Sequence, residues 1–262
     1  MKKVIALIVS VVLLMTCLAA CGSSGVSLAQ VQKAGKLSIA TSPDFPPFES
    51  LGENGKVEGI EIDILNLICE KLGVTLEINQ MDFDSVLPAI QAGKFNVGVS
   101  GISVTPKREK NVLFTTPYCL AAQAIVVLKD SSITCKAGLA DKKIAVQTGT
   151  TAETYCMENK YELSSFAANS DAQTALLTGK VDAWVIDDLT AAEMVKSYNA
   201  ANGDQLVILS EALTTEPYAF AFSFGSETLV EEINKIIKEL LADGTIAEIF
   251  AKYDAPYTAP TN

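Results

Sequence analysis

Arg108 is a cation placed where helix chemistry alone would not put one. Thr105 is a natural N-cap and Pro106 a natural first helical residue, so Arg108 falls in a first turn, where positive charge opposes the helix dipole. Just upstream, an apolar run over 96–99 reads as a buried strand, and Ser100, Gly101 and Ser103 follow it as small residues that bring backbone and hydroxyl groups close to a ligand. A guanidinium over such a strand end can grip a small carboxylate through two parallel hydrogen bonds, although the same residue would also suit a surface turn. A second anion cradle is offered by Gly149, Thr150 and Thr151, where helix N-terminal amides meet two hydroxyls; a plain capped helix is the alternative. Asp187 ends an apolar strand and is followed by Asp188, so one acid is expected to cap a helix and the other to face a ligand ammonium. Phe45, Phe48 and Phe83 lie near proposed strand ends and together could wall a side chain, with Gln147 reaching its tip; singly each suits a core, as Trp184 does. Arg108 with Ser103 for a carboxylate, and Asp187 for an ammonium, is the chemistry of a zwitterion site. Neither charge can be buried without a partner except at a cost of several kcal/mol.

Other chemistries are excluded by composition. The chain of 262 residues contains no histidine, which removes Ser-His-Asp and Cys-His nucleophile systems and the usual zinc sites, so no catalytic residue, metal or cofactor is expected. A net charge of -11 makes nucleic acid a poor partner. Cys69, Cys119, Cys135 and Cys156 form no CxxC pair; an export compartment permits a disulfide among them without specifying one, and Cys69 falls in an apolar helical pattern that suits a core.

The compartment follows from the first residues. Lys2 and Lys3 precede an apolar run, Val4 to Met15, that is short for a bilayer span, and Leu18, Ala19 and Ala20 then lead to Cys21. This resembles a bacterial lipobox, with residues 1–20 as signal peptide and Cys21 as the lipidated residue; an ordinary secretory signal with a chance cysteine is the alternative. Residues 21–35 are read as a tether, flexible and rich in small residues from Gly22 to Ser27. The rest is expected to be an extracytoplasmic, monomeric domain held at the membrane by its lipid.

The elements that must position these residues alternate between strand and helix. Strands are predicted at Leu37 to Ala40, Val74 to Ile78, Ala124 to Leu128, Lys143 to Val146, Val181 to Ile186, Leu206 to Leu209 and Ala219 to Phe222, with helices between them and a helical tail from Leu229 to about Tyr253. Glu53 to Gly55 reads as the turn of a short hairpin. The fold class is therefore α/β with largely parallel sheets in two lobes, the stretches 116–123 and 212–219 crossing between them as a hinge. Ligands in such folds sit beyond the carboxyl ends of strands, where the loops after Ala40 and Val99 and the turn at Gly149 converge.

Seven motifs, Ser42 to Glu49, Gly59 to Asp63, Met81 to Phe83, Ser100 to Arg108, Phe114 to Tyr118, Gln147 to Thr151 and Asp182 to Asp187, fall in the order seen in polar amino-acid-binding proteins of ABC importers. The resemblance to this solute-binding family 3 group runs from Gly35 to Tyr253 and implies a type II periplasmic-binding-protein-like clamshell. Its first lobe would be discontinuous, 36–119 with 219–256, around a second lobe at 120–218. It implies that Arg108, Ser103 and Thr151 hold an α-carboxylate, that Ser100, Gly101 and Asp187 hold an α-ammonium, that Phe45 and Phe83 flank the side chain and that Gln147 contacts its end. Ser42 carries no acid, unlike lysine- and histidine-type binders, and Gln147 is not the lysine common in glutamine binders. The stretches around Phe48 and Phe114 resemble arginine-binding members, in which Glu49 or Asp44 could meet a guanidinium. The expected ligand is arginine first, glutamine next, and the expected partners are a free amino acid and ABC permease subunits. Two alternatives on the same fold are a cyclohexadienyl dehydratase-like enzyme and a surface sensor or adhesin.

Overall fold

The computed structural model describes residues 25–260; the expected signal peptide, residues 1–20, and Cys21 lie outside them. Two five-stranded mixed sheets organise the chain. Across the first lie Thr75–Gln80, Lys36–Thr41, Val97–Gly98, Ala221–Phe222 and Leu113–Phe114, the first three parallel and the last two antiparallel to their neighbours. Across the second lie Glu162–Phe166, Lys143–Gln147, Ala183–Asp187, Gln123–Leu128 and Leu206–Ile208, again parallel at one edge and antiparallel at the other. The short strand Ala221–Phe222 sits in the first sheet although about a hundred residues separate it from its neighbours in sequence, so the first lobe is built from both ends of the chain. Cys119–Ala121 and Glu216–Tyr218 pair antiparallel as the two-stranded link between the lobes.

Helices bury the stripes that their spacing defines. In Ile60–Leu72, Ile60, Ile64, Leu65, Ile68 and Leu72 recur at intervals of one to four residues on one face, and Gly73 closes the helix in a left-handed conformation. Glu227–Ala242 buries Leu229, Val230, Ile233, Ile236, Ile237 and Leu240 and packs on that helix; Thr245–Lys252 follows Gly244 and adds Phe250 to the same core. Cys69, Cys119 and Cys156 are buried free thiols, and Cys135 is exposed and free.

One sequence expectation is corrected, and two strands are added to those expected. Residues 21–35 are not all tether: Leu28–Ala34 is a helix with Ser27 and Gln30 as a reciprocal capping box, Val31 is buried, and the backbone amides of Val26 and Leu28 donate to Ser226 Oγ and Thr228 Oγ1 of the C-terminal helix region. The strand Glu162–Phe166 was not expected because, as an edge strand, it carries glutamate and two serines rather than an apolar run. Glu216–Tyr218 is a strand despite Pro217, which suits a short edge pairing better than a central one.

Candidate functional site

The loops beyond the strand ends converge between the lobes. Phe45, Phe83, Ser100, Gly101, Ser103 and Arg108 from the first lobe, and Gln147, Thr150, Thr151 and Asp187 from the second, surround a cavity of about 10 Å³. That is room for about one water molecule, and hydrogen bonds from Arg108 to the Gly149 carbonyl and from the Asn169 amide to Asp44 cross the cleft, so the lobes are closed on each other.

Arg108 is placed by a single helical turn, Pro106–Glu109, capped by Thr105, whose hydroxyl accepts from the Arg108 amide at 3.2 Å. Its guanidinium donates to the Ser103 carbonyl at 2.9 Å within its own lobe and to the Gly149 carbonyl at 3.1 Å across the cleft, and it lies over the Phe83 ring at 5.7 Å. Burial pulls its pKa down, while Glu216 and Asp187 oppose that shift; the group remains a cation. Two glycines allow this closeness. Gly101 has φ +51° and a Cβ there would meet Phe45 at 2.4 Å; Gly149 has φ +81° and a Cβ would meet Asp84 at 3.0 Å, across the lobe boundary.

Asp187, at the end of Ala183–Asp187, is 6% exposed. It accepts from Gln123 Nε2 at 2.8 Å and from the Tyr218 hydroxyl. Burial, then the Glu216 charge, push its pKa up to about 7 against those hydrogen bonds. Asp188 is the structural acid of the pair and accepts from the amides of Ala122 and Leu189. Thr150 caps the helix Thr151–Glu158, and the Gly149 amide is already held by Glu153 Oε2 at 2.8 Å, so this cradle offers fewer free amides than its sequence implies.

Two expected site residues belong elsewhere. Phe48 is wholly buried and packs edge-on against Phe250 and Tyr218, inside the first lobe rather than on the cleft wall. Glu49 is also wholly buried; it accepts from Ser100 Oγ at 2.7 Å, behind the loop that faces the cleft, and cannot reach a ligand guanidinium. Ser42 points to Asp44, at 2.9 Å, on the rim of the site. Asp44 is the acid that crosses the cleft: it accepts from the Asn169 amide at 2.7 Å and faces Gln147 Nε2 at 3.3 Å. Burial raises its pKa against these hydrogen bonds. Sequence reasoning missed Gln123, Asn169, Glu216 and Tyr218. Glu216 accepts from Ser103 Oγ at 2.5 Å, Thr151 Oγ1 at 2.6 Å and Thr214 Oγ1 at 2.8 Å.

The ammonium side of the site rests on a buried acid pair. Glu61 accepts from the Gly101 amide at 2.9 Å and the Tyr118 hydroxyl at 2.6 Å. Glu49 Oε2 meets no donor in the surrounding protein, and its neighbour is the Glu61 carboxyl group. A proton on Glu49 satisfies both; burial first, then the charge of Glu61, hold the Glu49 pKa well above its ordinary value of 4.5. The folded protein keeps that proton where the unfolded chain has lost it, so this contribution to stability is full below the ordinary value and falls as pH rises through the raised one. Glu49→Gln, neutral at every pH, is expected to reduce that decline by up to about 1.4 kcal/mol per pH unit in the window. Urea unfolding midpoints between pH 4.5 and 8 measure it, and parallel curves for the two proteins would refute the assignment.

Over residues 37–255 the chain matches the family described as bacterial extracellular solute-binding proteins, family 3. The chain belongs to that family. It is 31% identical over 258 residues to the arginine-binding extracellular protein ArtP of Bacillus subtilis, covering 97% of this chain and 98% of that one. It is 30% identical over 224 residues to ABC transporter arginine-binding protein 1 of Escherichia coli, covering 82% and 89%. Among solved structures, an ancestral arginine-binding protein bound to arginine superimposes with a TM-score of 0.78 at 39% identity, covering 84% of this chain and 98% of that one. Relatives named for L-cystine and histidine binding also match, at 26% and 30% identity over 86% and 91% of this chain. So does an ancestral amino acid-binding protein described as a precursor of cyclohexadienyl dehydratase, at 34% identity, TM-score 0.78 and 86% of this chain.

Proposed function

We propose that the protein is the receptor of an ABC importer for a polar or basic amino acid, L-arginine before L-glutamine. In this reading it is anchored by a lipid on Cys21, works as a monomer and delivers its ligand to permease subunits. The observation that carries the reading is a cation and an acid, Arg108 and Asp187, brought to one small cavity from opposite lobes. Arg108, Ser103 and Thr151 take the α-carboxylate, and Asp187 with the Ser100–Gly101 loop takes the α-ammonium. Because the two ends of the ligand are held by different lobes, binding favours closure through differential affinity. Micromolar affinity, about -8 kcal/mol, is within reach of two desolvated charge contacts after closure costs.

Charge balance supports the cationic side chain. One cation, Arg108, stands against Asp187, Glu216 and Asp44. A zwitterion alone leaves that excess of negative charge, and a guanidinium directed at Asp44 and Gln147 offsets part of it. Calorimetry with a panel of amino acids is expected to rank L-arginine first. Asp44→Asn should weaken L-arginine by about tenfold, the scale of one charge-assisted hydrogen bond, and leave L-citrulline unchanged. A panel in which nothing binds, or in which prephenate or arogenate is turned over, would sink the reading. Equal losses for arginine and citrulline would remove the role of Asp44.

A further inference from the structure

Glu216 takes up two hydroxyl donors that an amino-acid carboxylate in the cleft would need. It lies on the link strand Glu216–Tyr218, between the lobes, and a single oxygen, Oε2, receives the Ser103 hydroxyl at 2.5 Å from one lobe and the Thr151 hydroxyl at 2.6 Å from the other. Those two hydroxyl oxygens are 3.4 Å apart. Oε1 is anchored separately by Thr214 at 2.8 Å. A serine or threonine hydroxyl has one proton to donate, and a carboxylate can only accept. The protons of Ser103 and Thr151 can therefore go to Glu216 or to a bound carboxylate, not to both.

We propose that Glu216 is a built-in competitor for the ligand's α-carboxylate: it bridges the two lobes through the Ser103 and Thr151 hydroxyls and must yield them when an amino acid binds. This rests on the reading of the cleft as an amino-acid site. Its consequence is a specificity-setting role. Only a ligand whose carboxylate gains more from Arg108 and the two hydroxyls than Glu216 loses can displace the internal contact, so amines and amides lacking the carboxylate are not rewarded for entering.

The test compares L-arginine with L-argininamide, which keeps the ammonium and side chain and lacks the carboxylate. Calorimetry is run on the wild type, Glu216→Gln and Glu216→Asp. Glu216→Gln weakens the competitor to a neutral acceptor, and Glu216→Asp keeps the charge while withdrawing it from the hydroxyls. Both variants are expected to bind L-arginine at least fivefold more tightly and to bind L-argininamide no more tightly than wild type. L-Arginine binding that is unchanged or weaker in the variants overturns the inference, because Glu216 would then be a fixed support that stays in place under the ligand. Equal tightening of both ligands overturns it too, as does tightening in Glu216→Gln alone, which assigns the effect to charge rather than to the hydroxyls. A wild type that binds no amino acid removes the functional reading and this inference together; a wild type that binds L-arginine beside indifferent variants removes the inference alone.

Discussion

L-Arginine binding by Arg108→Ala is expected to be weaker by about 3–5 kcal/mol, roughly two to four orders of magnitude in Kd, because the ligand carboxylate would be left in the closed cleft without its cation. Among the described residues Arg108 is the one cation lining the central cavity, so no neighbour can substitute for it. Within its own lobe the Ser103 carbonyl and the Phe83 ring hold the guanidinium, and closure adds the Gly149 carbonyl from the other lobe. Arg108→Lys should recover only part of the loss, since an ammonium cannot make the two parallel hydrogen bonds of the guanidinium fork. The unliganded variant should unfold within a few degrees of wild type, because only a one-turn helix depends on the position of Arg108. Calorimetry and the ligand-induced rise in Tm measure both. A loss below tenfold would mean that the carboxylate lies elsewhere, and the zwitterion reading would fail with it.

The parts of the site that sequence made legible are those that local rules encode. Thr105 and Pro106 announce a helix start, and the structure has one there, so the position of Arg108 could be inferred within a turn. Asp187 could be placed because an apolar strand stops at it. The unread part is set by pairings distant in sequence. Glu216 lies 113 residues from Ser103 and 65 from Thr151, in a segment whose composition says only that it crosses between lobes. Tyr218 shares its strand and its hydroxyl reaches Asp187 only through the antiparallel link with Cys119–Ala121. Glu49 misled for a related reason. A glutamate in a loop after two prolines and near the cleft reads as able to reach a ligand guanidinium, yet it is wholly buried, with Ser100 Oγ and the Glu61 carboxyl group meeting it inside the lobe. Phe48 and Phe45 are three residues apart and stack at 5.6 Å, and only the arrival of Phe250 from the far end of the chain decides that Phe48 is core.

Affinity for L-arginine is expected to depend on pH through Asp187. Burial first, and the Glu216 charge second, push its pKa up to about 7, so below that value much of the unliganded protein carries a proton there. An α-ammonium can pair only with the ionised form, and binding must then expel that proton. The complex holds fewer protons than its parts, so affinity increases with pH up to about 7 and is flat above it, until the ligand's own ammonium titrates. The expected slope is about tenfold per pH unit, which makes binding at pH 5 about a hundredfold weaker than the plateau. Asp187→Asn should cost about 2–5 kcal/mol on the plateau, where a buried charge pair is lost, and much less at pH 5, where the wild type has already given up that pair. The pH slope should vanish in the variant, a result that a general loosening of the fold would not produce. Calorimetry in two buffers of different ionisation enthalpy counts the protons directly: close to one released per ligand at pH 5 and none at pH 8. An affinity that stays constant from pH 5 to 7 would show that Asp187 is ionised throughout or faces no ammonium; proton release at pH 5 from Asp187→Asn as well would assign the linkage to another acid, with Asp44 the first to test.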